Sequence, residues 1–140
     1  MKKTVPYIRN LKNNRVVSMM TAYDYPSAKA VSEAEIDIIL VGDSLAQVVL
    51  GHDDTLSITV DEMLHHVKAV TNAKPSALVV ADMPYMSYHI SKEETIKNAG
   101  RFIQEVKRLQ IVLVPSLKFF PELYIHPLNF LIAVLSQDDP

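Results

Sequence analysis

The chain has no cysteine and no tryptophan, and only three of its 140 residues are glycine. Without cysteine a disulfide scaffold is excluded, and a reducing compartment fits. No apolar run approaches the roughly 18 residues of a membrane span. The nearest, Leu128 to Leu135, is too short, and Pro6, Arg9 and Asn10 interrupt the stretch after Lys2 and Lys3 where a signal peptide would be apolar. There is no excess of base: 14 Lys and Arg face 16 Asp and Glu, a formal net charge of −2. The whole chain therefore offers no field for nucleic acid. Gly42, Gly51 and Gly100 make no phosphate-cradling GxGxxG, and no Ser/His/Asp order is present. A self-contained eight-fold α/β barrel needs about 250 residues and is too large for this length. The expectation is a cytoplasmic globular protein with neither nucleic acid nor membrane as partner.

What is present has an ordinary globular composition, 49% apolar and 21% charged. The first 15 residues carry Lys2, Lys3, Arg9, Lys12 and Arg15 and no acid, which reads as a solvated N-terminal arm. Val16 to Ala22 is apolar enough for a buried strand. After it, Asp24 as cap, Pro26 in a first turn, and Ala28, Val31 and Ala34 at helical spacing predict a helix. Asp37 to Val41 is an apolar run suited to a central parallel strand. A long connection from Leu45 to Ile58 follows. Thr59–Glu62 then has the form of a capping box before an apolar stripe of Val60, Met63, Leu64, Val67 and Val70. Ala77 to Ala81 reads as the third strand. Ser91–Glu94 is a second box before Ile96, Ala99, Phe102, Ile103 and Val106. Strands alternating with helices imply an α/β protein with a parallel sheet and right-handed crossovers. Ile111 to Val114 is a candidate fourth strand, and the remaining text follows neither period.

Three strands end in aspartate: Asp24, Asp43 and Asp82. In parallel α/β folds ligands bind beyond the carboxyl ends of the strands. Aspartate is a poor strand residue, and a carboxylate there is costly unless paired, capping or metal-bound. Each alone also fits a helix or turn cap. Two on neighbouring strands would converge and suit Mg²⁺, which favours hard oxygens and keeps room for substrate oxygens and water. His65 and His66 are adjacent in a helix, so at most one faces inward, and neither has the i, i+4 partner of a zinc pair. His52 lies in the long loop, where a substrate or lid role is open beside a plain loop role. His89 and His126 carry no signal.

Six ordered segments resemble one family: Thr21–Asp24, Val41–Leu45, Leu50–Leu56, Asp61–His66, Ala81–Tyr88 and Asn98–Arg101. The family is ketopantoate hydroxymethyltransferase, and the likeness covers roughly residues 5 to 105. The resemblance implies a (β/α)8 barrel of the phosphoenolpyruvate/pyruvate-binding type, of which this chain would supply the first three to four βα units, an incomplete barrel. It implies hydroxymethyl transfer from 5,10-methylenetetrahydrofolate to 3-methyl-2-oxobutanoate, giving 2-dehydropantoate for pantothenate synthesis, in a homo-oligomer. It also implies Mg²⁺ at Asp43 and Asp82, with Asp43, Ser44 and Asp82 binding the small 2-oxo acid. The chemistry agrees: the C3 hydrogen of a 2-oxo acid is weakly acidic, and a chelated divalent ion spreads the charge of the enolate. Tyr23 and Asp24 would shape the pocket floor. A lyase of the isocitrate lyase type shares Mg²⁺ and 2-oxo acids but does not fit the six segments.

Two departures stand out. The family has glycine where this chain has Ala46, a strained change if that backbone needs positive φ. After Glu105 the family continues with a Gly-Ala-Asp turn and a strand ending Lys-(hydrophobic)-Glu-Gly-Gly, bearing a substrate-binding Lys and a metal-associated Glu. Here the text is Val106 to Gln110 and then Ile111 to Ser116. The family's general-base Glu lies further along still, so no catalytic residue is assigned here. The expected division is therefore 1–105, the N-terminal part of the barrel, and 106–140, a divergent tail of frameshift character. The chain alone is expected to be inactive, with a non-catalytic truncated or frameshifted product as the alternative to an enzyme.

Overall fold

The computed structural model describes residues 2–107, 111–115 and 130–133. Its elements run α1 (Val5–Asn10), β1 (Met19–Thr21), α2 (Tyr25–Glu33), β2 (Ile38–Val41), α3 (Leu45–Val48), α4 (Val60–Asn72), β3 (Leu78–Asp82), α5 (Lys92–Glu105), β4 (Ile111–Pro115) and β5 (Phe130–Ala133). The sheet order is β1-β2-β3-β4-β5. The first four strands are parallel, with Met20 opposite Ile39, Leu40 opposite Val80 and Ala81 opposite Val112. This is an open run of consecutive βα units, part of a barrel. The fourth strand falls where Ile111 to Val114 predicted it. β5 then joins β4 antiparallel, Val114 opposite Leu131, an arrangement no periodicity in the tail announces. The other residues from 108 onward, His126 among them, lie outside the described residues.

Strand alternation divides the core. Ile39, Val41, Val79 and Ala81 point to the outer face and are buried with Val31 of α2, Met63, Leu64, Val67 and Val70 of α4, and Phe102 of α5. Helix starts follow the predicted caps. Asp24 and Thr59 form reciprocal capping boxes with Ser27 and Glu62. Ser91 accepts from the Glu94 N–H, while Glu94 pairs with Lys97 at 3.6 Å. Of the α5 stripe, Ile96 is 58% exposed, because Thr95 and Asn98 take the buried positions beside Ala99 and Phe102. Lys68–Glu105 at 2.9 Å and Arg101–Asp61 at 2.6 Å tie α4 to α5.

Three sequence expectations change. β1 spans three residues, all exposed, and Val16 is exposed too, so 16–22 is not a buried strand. It pairs with β2 alone at one end of the sheet. The long connection from Leu45 contains the short helix α3. The basic N-terminus is not a solvated arm. Val5 and Ile8 of α1 pack against Ile38, Leu40, Leu78 and Val80 on the inner face of the sheet. Lys3 and Arg15 converge on Asp37, whose side chain is 1% exposed. Burying that carboxylate is tolerated only because charge and hydrogen bonds are supplied with it.

Candidate active site

At the carboxyl ends of the strands the chain leaves β2 through Gly42-Asp43-Ser44 and leaves β3 at Asp82. Because β2 and β3 are neighbours in register, these ends meet. The Asp43 backbone N–H donates to Asp82 Oδ2 at 3.3 Å. Gly42 makes room for the contact: a Cβ there would lie 3.2 Å from Asp82 Oδ2 and 3.4 Å from Ser44 Oγ. The first spacing is tighter than most side-chain contacts, so a side chain here would push on the Asp82 carboxylate; the glycine serves close approach, not a special φ.

Asp82 is half-buried, and burial pushes its carboxyl up to about 6. The Asp43 N–H works against that shift, and the negative charge of Asp43 adds to it. Among the described residues no side chain donates to either carboxylate. Ser44 stands at the start of α3, but its hydroxyl makes no capping bond. It meets the Tyr23 hydroxyl at 2.7 Å instead. Tyr23 is held from behind, its carbonyl accepting from His66 Nδ1 at 2.7 Å, which fixes the proton of that ring on Nδ1.

The structure therefore brings Asp43, Ser44 and Asp82 together, and adds Tyr23 through Ser44. Asp24 stays apart: it is exposed and caps α2 with Ser27, which lowers its pKa. His66 is the inward member of the histidine pair and His65 the exposed one. His52 bonds Ser57 Oγ through Nδ1 at 2.9 Å within its own loop. Ala46 is buried in α3 and is not among the residues of positive φ, so it carries no backbone strain. No group of three or more His, Asp or Glu able to hold a metal occurs among the described residues. The two carboxylates nevertheless fit a hard divalent ion. Mg²⁺ is commonly held by one or two carboxylates with water and substrate oxygens completing the shell. Two carboxylates whose charges oppose each other, with no basic partner among the described residues, are also a donor set that a cation would relieve.

The segment after β3 borders the same site and carries more than spacing revealed. Ser87 Oγ donates to the Pro84 carbonyl at 2.6 Å, Asn98 Nδ2 to the Ser87 carbonyl at 2.8 Å, and Thr95 Oγ1 to the Tyr88 carbonyl at 3.2 Å. Tyr88 is buried by this pinning. Burial raises its pKa, and the charges of Asp43 and Asp82 raise it further. A polar Asn inside an otherwise apolar helix stripe was the available signal.

A family model described as ketopantoate hydroxymethyltransferase matches residues 2–118. The 3-methyl-2-oxobutanoate hydroxymethyltransferase of Syntrophomonas wolfei subsp. wolfei is 57% identical over 103 residues, 73% of this chain and 37% of that protein. The enzyme of the same name from Listeria monocytogenes serotype 4a is 55% identical over 105 residues, 75% of this chain and 38% of that protein. The chain thus spans under two fifths of the length of these relatives. In fold it is similar to 2,3-dimethylmalate lyase, a member of the PEP mutase/isocitrate lyase superfamily, with TM-score 0.55 and 20% identity over 75% of this chain and 38% of that one. Phosphoenolpyruvate phosphomutase from Streptomyces platensis subsp. rosaceus aligns at TM-score 0.57 and 17% identity over 73% of this chain and 35% of that one.

Proposed function

Because this chain belongs to the ketopantoate hydroxymethyltransferase family, we propose that its Asp43–Ser44–Asp82 cluster is the part of a hydroxymethyltransferase site that holds Mg²⁺ and 3-methyl-2-oxobutanoate, the acceptor of the one-carbon unit of 5,10-methylenetetrahydrofolate. The observation that carries this reading is the junction of two strand ends, where the Asp43 N–H reaches Asp82 Oδ2 at 3.3 Å. Asp43 and Asp82 would hold the ion. When bound, Mg²⁺ supplies Lewis-acid chemistry at the keto oxygen, which makes the neighbouring C–H more acidic. Ser44 donates its hydroxyl proton to the substrate carboxylate, and Tyr23 orients that hydroxyl from the other side. Gly42, with no side chain to push on Asp82 Oδ2, lets the backbone after β2 approach that carboxylate.

The reading assigns residues 1–105 to the barrel and 106–140 to a separate tail. It places the protein in the cytoplasm with a small 2-oxo acid as partner, in a homo-oligomeric family. Among the described residues no helix is long and apolar enough to cross a membrane. The 140-residue chain by itself binds rather than turns over, because both carboxylates are assigned to the ion, the resemblance matches the family's general-base Glu to no residue here, and general-base catalysis requires such a proton acceptor. A non-catalytic role is favoured by the same observation.

The test is a titration of the full chain with Mg²⁺ and then with 3-methyl-2-oxobutanoate, beside Asp43→Ala. Weak, millimolar-type Mg²⁺ binding that Asp43→Ala removes is expected, with no product when methylenetetrahydrofolate is added. Keto acid binding that ignores Mg²⁺ and Asp43 overturns the site. Asp43-dependent product formation overturns the inactivity of the isolated chain.

A further inference from the structure

Two histidines stand side by side on α4, and the function proposed above uses neither. Their rings meet edge to face at 5.5 Å between centroids. His65 is exposed and His66 half-buried. His66 Nδ1 donates to the Tyr23 carbonyl at 2.7 Å, across 43 residues of chain. The ring can only donate there, since a carbonyl oxygen has no proton to give.

Tyr23 is the residue at which such a bond matters to the site. It lies between the end of β1 at Thr21 and the start of α2 at Tyr25, so neither the sheet ladder nor the helix holds its carbonyl. Its neighbours are already fixed: the Ala22 N–H donates to the Leu40 carbonyl at 3.2 Å, and Asp24 caps α2. His66 fixes the backbone of the junction residue between them. The far end of that residue reaches the site, where the Tyr23 and Ser44 hydroxyls meet at 2.7 Å. Ser44 Oγ in turn flanks the carboxylate of Asp82. It and Asp82 Oδ2 lie 3.4 and 3.2 Å from one point, where a Cβ on Gly42 would stand.

Each of the two hydroxyls has one proton to place. When Tyr23 donates to Ser44, the Ser44 proton is left to point at a ligand; without Tyr23 in place, that proton is free to turn. We propose that His66 is a positioning residue for binding of the 2-oxo acid. By fixing the Tyr23 backbone it fixes the Tyr23 hydroxyl, and through it the Ser44 hydroxyl that meets the substrate carboxylate. This rests on the function proposed above.

The deciding experiment measures affinity for 3-methyl-2-oxobutanoate at saturating Mg²⁺, for the full chain and its variants. His66→Leu removes the donor and should weaken keto acid binding about three- to tenfold. His66→Asn keeps an N–H on the atom bonded to Cγ and should bind within about twofold of wild type. In a Ser44→Ala background the two His66 variants should bind alike, because the residue through which His66 acts is gone. Tyr23→Phe keeps the ring and the carbonyl and should lose as much as His66→Leu. An Asn variant as weak as the Leu variant overturns the proposal, as does a His66→Leu loss that persists undiminished beside Ser44→Ala. If His66→Leu fails to fold, Tyr23→Phe decides. Its binding equal to wild type breaks the path from His66 to the substrate and overturns the proposal, while leaving the Asp43–Asp82 reading intact. A wild-type chain that binds Mg²⁺ but no keto acid overturns both the proposal and the function on which it rests.

Discussion

The two ends of the sheet treat their carboxylates in opposite ways. At the amino end of β2, Asp37 accepts from both terminal nitrogens of Arg15 at 2.6 and 2.7 Å, from the Ser18 N–H at 3.0 Å and from the Ser18 hydroxyl at 3.1 Å, with Lys3 Nζ at 3.0 Å. The Arg15 guanidinium holds its carboxyl well below the usual carboxylate range. At the carboxyl ends of β2 and β3, Asp82 receives one long backbone hydrogen bond and faces a second carboxylate, and burial drives its pKa upward. One carboxylate is over-supplied with partners and staples the N-terminal segment to the sheet. The other is under-supplied by the described residues, which is the property the proposed cation site draws on. Burial alone does not mark a site; burial without compensation does.

The largest effect should come from the over-supplied end. Asp37→Ala leaves Lys3 and Arg15 facing each other without their shared anion, and is expected to destabilise the chain by about 3–5 kcal/mol, read as a shift in the urea midpoint. A loss below 1 kcal/mol would mean the cluster is a surface feature and would erase the contrast.

Asp82→Asn should do the reverse. It removes an under-compensated charge while keeping an acceptor for the Asp43 N–H, so the metal-free chain gains about 1–2 kcal/mol near neutral pH. The same change should abolish Mg²⁺ binding. A variant less stable than wild type would show that Asp82 is satisfied by protein alone.

The pH dependence separates the two ends by sign. Asp37 has a lowered folded pKa, so its contribution is present above the ordinary aspartate value and is lost as pH falls below about 4. Asp82 has a raised folded pKa, so its contribution is present below the ordinary value and is lost as pH rises through about 6. The stability advantage of Asp82→Asn should therefore grow between pH 4 and pH 7 and vanish in stronger acid, as denaturant melts at several pH values will show. An advantage independent of pH would contradict it.

Added Mg²⁺ should give an effect no larger than that of Asp82→Asn. At a concentration tenfold above a millimolar-type dissociation constant it stabilises by about 1.4 kcal/mol, and by less at pH 5, where Asp82 holds a proton. Gly42→Ala should remove that response, because its Cβ would meet Asp82 Oδ2 at 3.2 Å.

Much of this was readable without coordinates. The capping residues Asp24, Thr59 and Ser91 start their helices as the pattern says, because a cap is a local interaction between residues three apart. The Asp43–Asp82 pair was legible because parallel strands place their carboxyl ends together. The role of Asp37 was not: its partners Lys3, Arg15 and Ser18 lie 34, 22 and 19 residues away, and a basic N-terminus by itself looks like solvent-facing text. Tyr88 escaped for a related reason, since its burial depends on Asn98 and Thr95 of a later helix.

The chain's small supply of cysteine, glycine and long apolar runs, its helix caps and its strand-end aspartates belong to the sequence, because each is a matter of composition or of residues within one turn of one another. Which carboxylate becomes a staple and which a candidate ligand belongs to the tertiary structure. Asp37 and Asp82 are the same residue type at the ends of adjacent strands, and only the distant groups that the fold brings to each decide whether its charge is neutralised by protein or left for a ligand.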